Sequence, residues 1–418
     1  MGKTYLCIDL KSFYASVECV ERGLDPFKVS LIVADPSRGN GTICLAITPY
    51  MKSLGVRNRC RRYEIPKNIK YIVAKPRMRK YIEYSARIYS IYLKYISKDD
   101  IHVYSVDECF LDVTSYLNLY KMDKFAFAKF LMSEIYKETG ITATCGIGTN
   151  MFLTKVALDI LSKHDKSNIG YLDEDLFIEK MHYHEPLSDF WGIGIHTEEH
   201  LHKLHIKNMH DLSMANESLL YKGFGINAKI LIDHSKGIET TTIKDIKKYK
   251  PKSKSISNSQ ILFRDYTKEE ARVVLSEMVN DIVLKLVSMN LYTGVVGFYV
   301  GYSKDVIRPT SVSFKLKRLS ASYTTILKNV LGEYDYMVTD RFPIRKLGIS
   351  LNNLSKKEYE QVDLFNEYLS EDMEVELEKS LNHIVSKYGK NSILRGISYG
   401  DSGNQIMRNK LVGGHNAE

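Results

Sequence analysis

Residues 101–113 read Ile-His-Val-Tyr-Ser-Val-Asp-Glu-Cys-Phe-Leu-Asp-Val, two runs of β-forming residues on either side of Asp107 and Glu108. A second apolar run, Thr4-Tyr-Leu-Cys-Ile-Asp9, also ends in a carboxylate and is predicted to be a buried strand. Charged side chains are rarely buried unless they are paired or bind a metal ion. If the segments are neighbouring strands, the three acids converge, and two Mg²⁺ ions held there could support phosphoryl transfer. Spacing alone favours the simpler alternative, in which each acid ends a strand and faces water.

The composition points to a basic protein with an anionic partner. The 418 residues include 59 Lys and Arg against 50 Asp and Glu, a net charge of +9. Seven acids and no base lie between Asp363 and Glu378, so the rest of the chain is more basic still. A basic body with a short acidic segment is typical of a protein that binds a polyanion. A merely well-solvated surface is the alternative.

Several classes of protein are excluded by simple counts. No apolar run approaches the roughly 18 residues of a membrane-spanning helix. The first residues, MGKTYLCIDLKS, contain no apolar stretch of signal-peptide length, and the six cysteines form no C-x-x-C pair. We therefore expect a cytoplasmic protein with reduced thiols, no membrane association and, at roughly 150 residues per domain, two to four domains.

The order of predicted elements is β, α, β, β, α, β in the first part of the chain, which favours a two-layer α/β domain. Short helices broken by glycine follow over about 166–240. Lys244–Lys254 contains six lysines in eleven residues and is predicted to be an exposed linker. A helix over 268–289 and β-runs at 294–301, 311–319 and 345–351 then predict a second, small α+β domain. The remainder, 361–418, is predicted to be an appended tail.

A glycine turn between two short helices, Trp191-Gly192-Ile193-Gly194, is a candidate phosphate-binding site. Backbone N–H groups at such a turn can bind a phosphate oxygen without reading a base. A plain helix–helix turn is the alternative, and the basic charge favours phosphate contact. The adjoining residues His196-Thr-Glu-Glu-His200 fit a zinc-peptidase pattern. We interpret that match as accidental, because the pattern starts at the turn itself and short motifs match often by chance.

Two further segments are candidates for binding. In Phe314-Lys-Leu-Lys-Arg-Leu319, Lys315 and Lys317 would share one face of a strand and offer a basic strip to phosphates. An ordinary solvated face is an equally good interpretation. The residues Gln361, Val362, Asp363, Leu364 and Phe365 form a short apolar peptide that could insert into a groove of a partner. The alternative is the start of a helix that packs on its own domain.

In this order, the residues resemble the Y-family (translesion) DNA polymerases, in particular the UmuC-like branch of Gram-positive bacteria, also called the ImpB/MucB/SamB family. The likeness extends over nearly the whole chain. Its most specific part is D-x-x-x-F-Y-A-x-V-E, followed at the right separation by S-V-D-E. The matching segments are Cys7–Glu18, Arg77–Tyr81, Tyr104–Asp112, Gly146–Asn150, Trp191–Gly194 and Asn409–His415.

The resemblance implies an α+β multidomain fold, the right-hand polymerase. Its parts are a ferredoxin-like palm, small fingers, a helical thumb with a helix-hairpin-helix, and an α+β little finger. The implied boundaries are 1–11 and 73–165 for the palm, 12–72 for the fingers, 166–240 for the thumb, 241–253 for a linker, 254–355 for the little finger and 356–418 for a C-terminal tail that contains the peptide 361–365.

The resemblance also implies the catalytic residues. Asp9, Asp107 and Glu108 would hold two Mg²⁺ ions, with the carbonyl of Leu10 as a further ligand. Tyr14 occupies the steric-gate position, where an aromatic ring under the deoxyribose leaves no room for a 2′-hydroxyl group.

Contacts to the incoming nucleotide are implied for Phe13, Lys52 and Lys163, and an approach to the primer backbone for Asn150 and Lys155. Two departures from the family pattern affect these contacts. The tyrosine that commonly precedes the fingers lysine is replaced by Pro49, with Tyr50 adjacent, and Lys163 is one residue farther from Asp159 than in some relatives.

The implied function is template-directed, low-fidelity DNA synthesis past damaged bases in an SOS-type response, with primer-template DNA and dNTP as substrates. The peptide 361–365 looks like a sliding-clamp binding peptide. Relatives also work with a recombinase filament and an accessory subunit. Two alternatives remain. A nucleotidyl cyclase shares a palm-like sheet, although its Gly-Gly-acid turn is not seen, and a catalytically silent DNA-binding protein of the same fold is disfavoured because all three acids are present.

Overall fold

The computed structural model of the chain describes residues 2–163, 165–251, 254–356 and 367–418. It divides into two compact units. The first is formed by Met1–Tyr249 together with His415–Glu418, and the second by Lys250–Gly414. Among the described residues, no helix is both long enough and apolar enough to span a membrane.

The first unit is built around a five-stranded sheet and a smaller three-stranded sheet. Its strands up to residue 249 are β1 (Tyr5–Leu10), β2 (Leu31–Val33), β3 (Ala46–Ile47), β4 (Ile72–Ala74), β5 (Ile101–Val103), β6 (Glu108–Asp112), β7 (Ala143–Gly148) and β8 (Ile169–Leu172). The larger sheet has the order β5-β6-β1-β7-β8, and the smaller one has the order β3-β2-β4. Because β1 is central and antiparallel to both β6 and β7, residues from distant parts of the sequence meet at its ends.

The helices of the first unit cover the sheets and form a separate helical part. They are α1 (Phe13–Val20), α2 (Pro49–Ser53), α3 (Met78–Leu93), α4 (Tyr116–Tyr120), α5 (Lys124–Thr139), α6 (Met151–Val156), α7 (Glu174–Met181), α8 (Ile195–Lys203), α9 (Met209–Met214), α10 (Glu217–Phe224), α11 (Asn227–Ser235) and α12 (Ile243–Lys248). A π-helix, Ala157–Ser162, directly follows α6. At Gly146 a Cβ atom would lie 2.1 Å from the carbonyl oxygen of Thr154, so glycine in β7 is what lets α6 pack so closely on the strand.

The second unit is a four-stranded antiparallel sheet with two helices in the order β, α, β, β, α, β. Its elements are β9 (Ile256–Tyr266), α13 (Lys268–Ser288), β10 (Tyr292–Tyr302), β11 (Thr310–Ser320), α14 (Tyr323–Met337), β12 (Ile344–Ser355), α15 (Glu367–Tyr388), α16 (Gln405–Arg408) and β13 (Leu411–Val412), and β14 (His415–Asn416) follows in the first unit. The sheet order is β11-β10-β12-β9. Buried residues of α13 and α14 form a core with the inner face of the sheet, so the other face is left to solvent.

Two segments differ from the sequence-based expectation. The linker predicted at 241–253 contains α12, whose Ile243 is 2% exposed in the first unit, because Thr242 and Asp245 form a capping box and Ile243 and Ile246 share one face. The tail predicted at 356–418 is folded where the structure describes it. Glu378 in α15 is fully buried and pairs with Arg395, which donates to Asn280 Oδ1 of α13 (2.6 Å), so this region packs as part of the second unit.

Candidate active site

The three acids predicted from the sequence meet at one end of the large sheet. Asp9 and Glu108 are directly opposite each other in the antiparallel pair of β1 and β6. The N–H of Leu10 donates to the carbonyl of Asp107 (3.0 Å), which fixes the turn before β6 beside the end of β1. Ser105 Oγ donates to Asp107 Oδ1 (2.6 Å) and holds that side chain in place. The strand pairing therefore accounts for a convergence that spacing alone did not favour.

The electrostatics of Asp9 reflect this crowding. Burial raises the pKa of Asp9 to about 7, and the nearby negative charges of Asp107 and Glu108 act in the same direction. Lys155 and Lys163 oppose the shift. A carboxyl group that holds its proton this strongly lies where additional positive charge is favourable.

The Glu108 carboxylate forms an ion pair and a hydrogen bond with other side chains of the first unit. Its side chain is 10% exposed, and Oε1 lies 2.6 Å from Lys155 Nζ and 3.0 Å from Cys7 Sγ, which donates to it. Lys155 also pairs with Asp159 at 3.0 Å. Burial lowers the pKa of Lys155, but the charges of Asp159 and Glu108 outweigh burial and raise it. Lys155 is thus the resident counter-ion of the acid cluster.

Asn150 and Lys155 differ from the expectation that they approach primer DNA. Asn150 is 7% exposed, accepts a hydrogen bond from the N–H of Leu153 as the N-cap of α6, and donates to the carbonyl of Gly237 (2.8 Å). Lys155 is 8% exposed. Both side chains hold the first unit together, and neither is available at the surface for a phosphate.

The donor set fits Mg²⁺ bound together with a substrate. Across the described part of the chain, no three His, Cys, Asp or Glu side chains are grouped so that they could hold a metal ion by themselves. Sites that also bind substrate phosphates hold Mg²⁺ through one or two carboxylates and complete the octahedron with phosphate oxygens. Asp9 and Asp107, with the carbonyl of Leu10 beside them, are suited to that arrangement, and Glu108 lies with them while its Oε1 atom pairs with Lys155.

Tyr14 lies in α1, directly after β1, and its ring is stacked on Tyr81 of α3 with centroids 4.4 Å apart. Burial and the charge of Asp107 raise the pKa of the Tyr14 hydroxyl group. Phe13 is 2% exposed, so its side chain belongs to the interior. A nucleotide contact through the Phe13 ring is therefore not provided by this structure.

Sequence reasoning missed the network that holds Tyr81. The Glu18 side chain has no exposed surface and accepts hydrogen bonds from Arg77 Nε (3.0 Å), Arg77 Nη2 (2.9 Å) and the Tyr81 hydroxyl group (2.8 Å). Arg22 also contacts Glu18. Glu18, Arg77 and Tyr81 all lie within the quoted motif segments, so the signal was present, but spacing gives no indication that they touch.

Three lysines share the electrostatic environment of Asp9. Burial lowers the pKa of Lys52 in α2, Asp9 raises it, and the charges of Lys163 and Lys11 lower it further. Lys11, which directly follows β1, was not predicted as a site residue. Nothing in the spacing of the residues distinguishes Lys11 from other lysines near a strand end.

The extra residue before Lys163 coincides with the π-helix. In a π-helix each turn accommodates one more residue than in an α-helix. Lys163 directly follows this segment, and its Nζ lies 3.3 Å from Asp159 Oδ1. On the fingers side, Pro49 is the first residue of α2 and Tyr50 is exposed.

The glycine turn at 191–194 is a turn before α8. Gly192 has φ +93°, a conformation that favours glycine, and Gly194 is the N-cap of the helix. Trp191 Nε1 donates to the Tyr104 hydroxyl group (3.0 Å), and Ile193 is 6% exposed. The side chains of Trp191 and Ile193 thus anchor the turn to the rest of the first unit. The first N–H groups of α8 have no partners within the helix.

The zinc-peptidase pattern has ordinary contacts. His196 Nδ1 lies 3.3 Å from Glu199 Oε2, and the His200 ring packs against Phe224 with centroids 4.5 Å apart. The two histidines therefore interact with different neighbours.

In the second unit, Lys315 and Lys317 lie on the exposed face of β11, and Phe314 and Leu316 face the core. The same face also carries Val295 opposite Lys315, Tyr299 opposite Ser311, and the small residues Ser311, Ser313, Gly297, Gly348 and Ser350. The predicted clamp-binding peptide 361–365 lies outside the residues that the structure describes.

Comparison with known proteins decides the family. A model of the impB/mucB/samB family matches residues 8–159, and one of the C-terminal domain of that family matches residues 253–364. These ranges make up more than half of the chain. The protein belongs to the impB/mucB/samB family. This Y-family polymerase is 32% identical over 416 residues to UvrX of Bacillus subtilis (strain 168), named for UV-damage repair, with 99% of this chain and 97% of UvrX covered.

Other relatives agree. The polymerase is 29% identical over 427 residues to DNA polymerase IV 2 of Bacillus subtilis (strain 168), with 99% of this chain and 98% of that protein covered. Its fold resembles a Y-family DNA polymerase chimera of Dbh and Dpo4, with a TM-score of 0.61, 19% identity, and coverage of 84% of this chain and 99% of that chain. The sequence-based predictions of a Y-family DNA polymerase, of a right-hand α+β fold and of translesion DNA synthesis are confirmed.

Proposed function

We propose that the polymerase extends a primer by two-metal nucleotidyl transfer at Asp9, Asp107 and Glu108, with the carbonyl of Leu10 as a further ligand. The observation that carries this proposal is the register of β1 and β6, which puts Asp9 opposite Glu108 beside Asp107. In this assignment the palm comprises 1–11 and 73–165, the fingers 12–72, the thumb 166–240 and the little finger 254–355.

The reaction joins the primer 3′-oxygen to the α-phosphorus of the dNTP, and the bond from that phosphorus to the bridging oxygen breaks so that pyrophosphate leaves. When bound, two Mg²⁺ ions would stabilise negative charge on the attacking and leaving oxygens. The protein contributes position and charge. Lys52 and Lys163 neutralise the triphosphate, while Lys155 keeps Glu108 oriented at the end of β6.

Tyr14 selects the sugar in this proposal. Its ring is stacked on Tyr81, and its hydroxyl group is under the electrostatic influence of Asp107, one of the acids at which the nucleotide would bind. A rigid ring at that point excludes a 2′-hydroxyl group by overlap, without needing a specific polar contact.

DNA is held by backbone-directed contacts in both units. The turn 191–194 offers N–H groups to one phosphate, and the β11 lysines Lys315 and Lys317 offer charge on the exposed face of their strand. Contacts of this kind carry no sequence information, which suits an enzyme that must accept any template. The peptide 361–365 would tether the enzyme to a sliding clamp in the cytoplasm, and a recombinase filament and an accessory subunit are further proposed partners.

Primer extension with Mg²⁺ tests the assignment. We expect Asp107→Ala to abolish extension on undamaged and abasic templates, at least a thousandfold, because the charge that positions the metal and the primer oxygen is gone. DNA affinity should change less than twofold, since the phosphate contacts lie elsewhere. The matched control is Asp112→Asn, at the opposite end of β6 with Tyr5 as its partner, which should retain activity.

The outcomes separate the candidates. If Asp107→Ala extends primers as well as the parent, the metal assignment is wrong. If the parent binds DNA but extends no template, the protein is a silent DNA-binding member of the family.

A further inference from the structure

The last four residues of the sequence return to the first unit, although the preceding 165 residues belong to the second. Asn416 Nδ2 donates to the carbonyl of Pro76 (3.0 Å), and the N–H of Arg79 donates to the carbonyl of Ala417 (3.0 Å). Ala417 is 4% exposed. We call residues 415–418 the docking segment.

The docking segment contacts a helix end that lacks a cap of its own. α3 begins at Met78 after Arg77, has no side-chain cap and carries no acid in its first turn. The first N–H groups of a helix need partners, and positive side chains such as Arg79 and Lys80 are unfavourable at the positive end of the helix dipole. The carbonyl of Ala417 supplies one missing acceptor. Glu418 Oε1 lies 2.5 Å from Arg79 Nη1 in an exposed ion pair, which adds little to this contact.

A glycine turn directly precedes the docking segment. Gly413 and Gly414 have φ values of +59° and +81°, which glycine adopts without steric strain. Burial and the charge of Arg38 lower the pKa of the His415 imidazole, whereas the charge of Asp35 raises it.

The capped turn of α3 is the one that supports the sugar-selecting ring. Arg77, immediately before α3, makes two hydrogen bonds to the buried Glu18, and Tyr81 makes a third. The Tyr81 ring stacks on Tyr14. Any loosening of the first turn of α3 would move the partner against which Tyr14 is packed.

We propose that the docking segment is a built-in cap of α3, supplied from the far end of the chain, which holds Tyr81 and thereby Tyr14 in the sugar-selecting position. The effect on sugar selection rests on the proposed function of Tyr14. The docking of residues 415–418 does not depend on that function, because it is defined by contacts to Pro76 and Arg79.

Hydrogen exchange tests the docking without reference to catalysis. In a chain that ends at Gly414, we expect the Arg79 amide to exchange at least tenfold faster than in the full chain, because its acceptor is gone. The full-length double variant Asn416→Ala/Ala417→Arg should show the same change if the shorter chain fails to fold. Glu418→Gln is the control and should exchange within twofold of the parent, since an exposed ion pair contributes little. Equal exchange of Arg79 in all four proteins would overturn the docking.

The ratio of ribonucleotide to deoxyribonucleotide incorporation tests the consequence. We expect it to rise about three- to tenfold in the truncated and double variants and to stay unchanged in Glu418→Gln. Loss of Arg79 protection with an unchanged ratio would overturn the coupling to Tyr14. If Tyr14→Ala itself leaves the ratio unchanged, the failure lies in the proposed function of Tyr14, and the exchange result still decides the docking.

Discussion

Glu18 shows how one buried side chain can organise a site that it does not enter. Its carboxylate has no exposed surface and is satisfied by Arg22 just after α1, by Arg77 just before α3 and by Tyr81 in α3. Burial would raise the pKa of Glu18, but hydrogen bonds from Arg77, Arg22 and Tyr81 keep it below its usual value. A charge that is fully paired in this way fixes the relative position of two helices and, through Tyr81, of Tyr14.

Replacing Tyr14 with alanine should raise ribonucleotide incorporation at least tenfold relative to deoxyribonucleotide incorporation. The ring that would overlap a 2′-hydroxyl group is removed, while the acids are untouched. Single-nucleotide primer extension with each nucleotide type measures the ratio. Tyr63→Ala, at a ring that is 68% exposed in the same part of the unit, is the control. Unchanged discrimination would show that Tyr14 is not the gate.

Glu239 provides a pH-dependent prediction for the first unit. Burial would raise the pKa of Glu239, but hydrogen bonds from His234 (3.1 Å) and from the N–H of Thr241 (2.6 Å) lower it to about 2. A carboxylate with a depressed pKa in the folded state stabilises it above the unfolded pKa of about 4.5, and this stabilisation is lost as the pH falls towards 2.

Glu239→Gln should therefore cost about 1–3 kcal/mol of unfolding free energy at pH 6 and clearly less at pH 3. Urea titration followed by the fluorescence of Trp191, the only tryptophan in the sequence, reports on this unit. The exposed Glu179→Gln should show no such pH dependence. An equal loss for Glu239→Gln at both pH values would contradict the assignment.

At the scale of elements, helices and strands with a strong hydrophobic periodicity are predicted from the sequence. Elements that depend on packing against distant residues are not. The helix predicted over 268–289 is α13, and the β-runs on either side of Asp107 and Glu108 are β5 and β6. The sequence does not predict β9 or α14. It predicts a linker where α12 lies, because the six lysines of this stretch indicate an exposed segment more strongly than its two isoleucines indicate a packed helix. The π-helix was not predicted either, since a one-residue excess is visible only against relatives.

The candidate site shows the same division. The acids and Tyr14 follow from motif residues, whereas the burial of Lys155 and the Phe13 ring depends on how α6 and α1 pack against the sheet. Such contacts join residues far apart in the chain, and no spacing rule contains them. The motif therefore predicts which residues matter more reliably than what each one touches.

The β11 face gives a prediction that belongs to the whole strand. Lys315→Ala/Lys317→Ala should reduce the slope of log affinity for duplex DNA against log salt by about 2, because each lost phosphate contact removes roughly one released counterion. Binding titrations at salt concentrations between about 50 and 200 mM measure this slope. Lys328→Ala, an exposed lysine of α14 on the far side of the sheet, is the control. A slope that matches the parent would exclude this strand from DNA contact.

At the scale of the molecule, each unit has its own hydrophobic core. The core of the second unit is formed by residues between 256 and 375, and those of the first unit lie between 5 and 246. Unfolding of such a chain need not be a single transition.

Leu275→Ala in the second core should cost about 2–5 kcal/mol there and leave the urea midpoint seen by Trp191 fluorescence nearly unchanged. Circular dichroism, which responds to both units, should show the shifted transition. Leu153→Ala in the first unit is the matched substitution and should move the Trp191 midpoint. A shift of that midpoint by Leu275→Ala as large as the shift by Leu153→Ala would show that the two cores unfold together.

The return of residues 415–418 to the first unit has a practical consequence for labelling. A fluorophore or affinity handle attached after Glu418 would extend from the neighbourhood of Pro76 and Arg79 in the first unit. Such a probe would follow the local environment of α3 directly. A probe attached there would also compete with the contacts of residues 415–418 that it is meant to observe. A reporter of the second unit is better placed on the exposed end of α14.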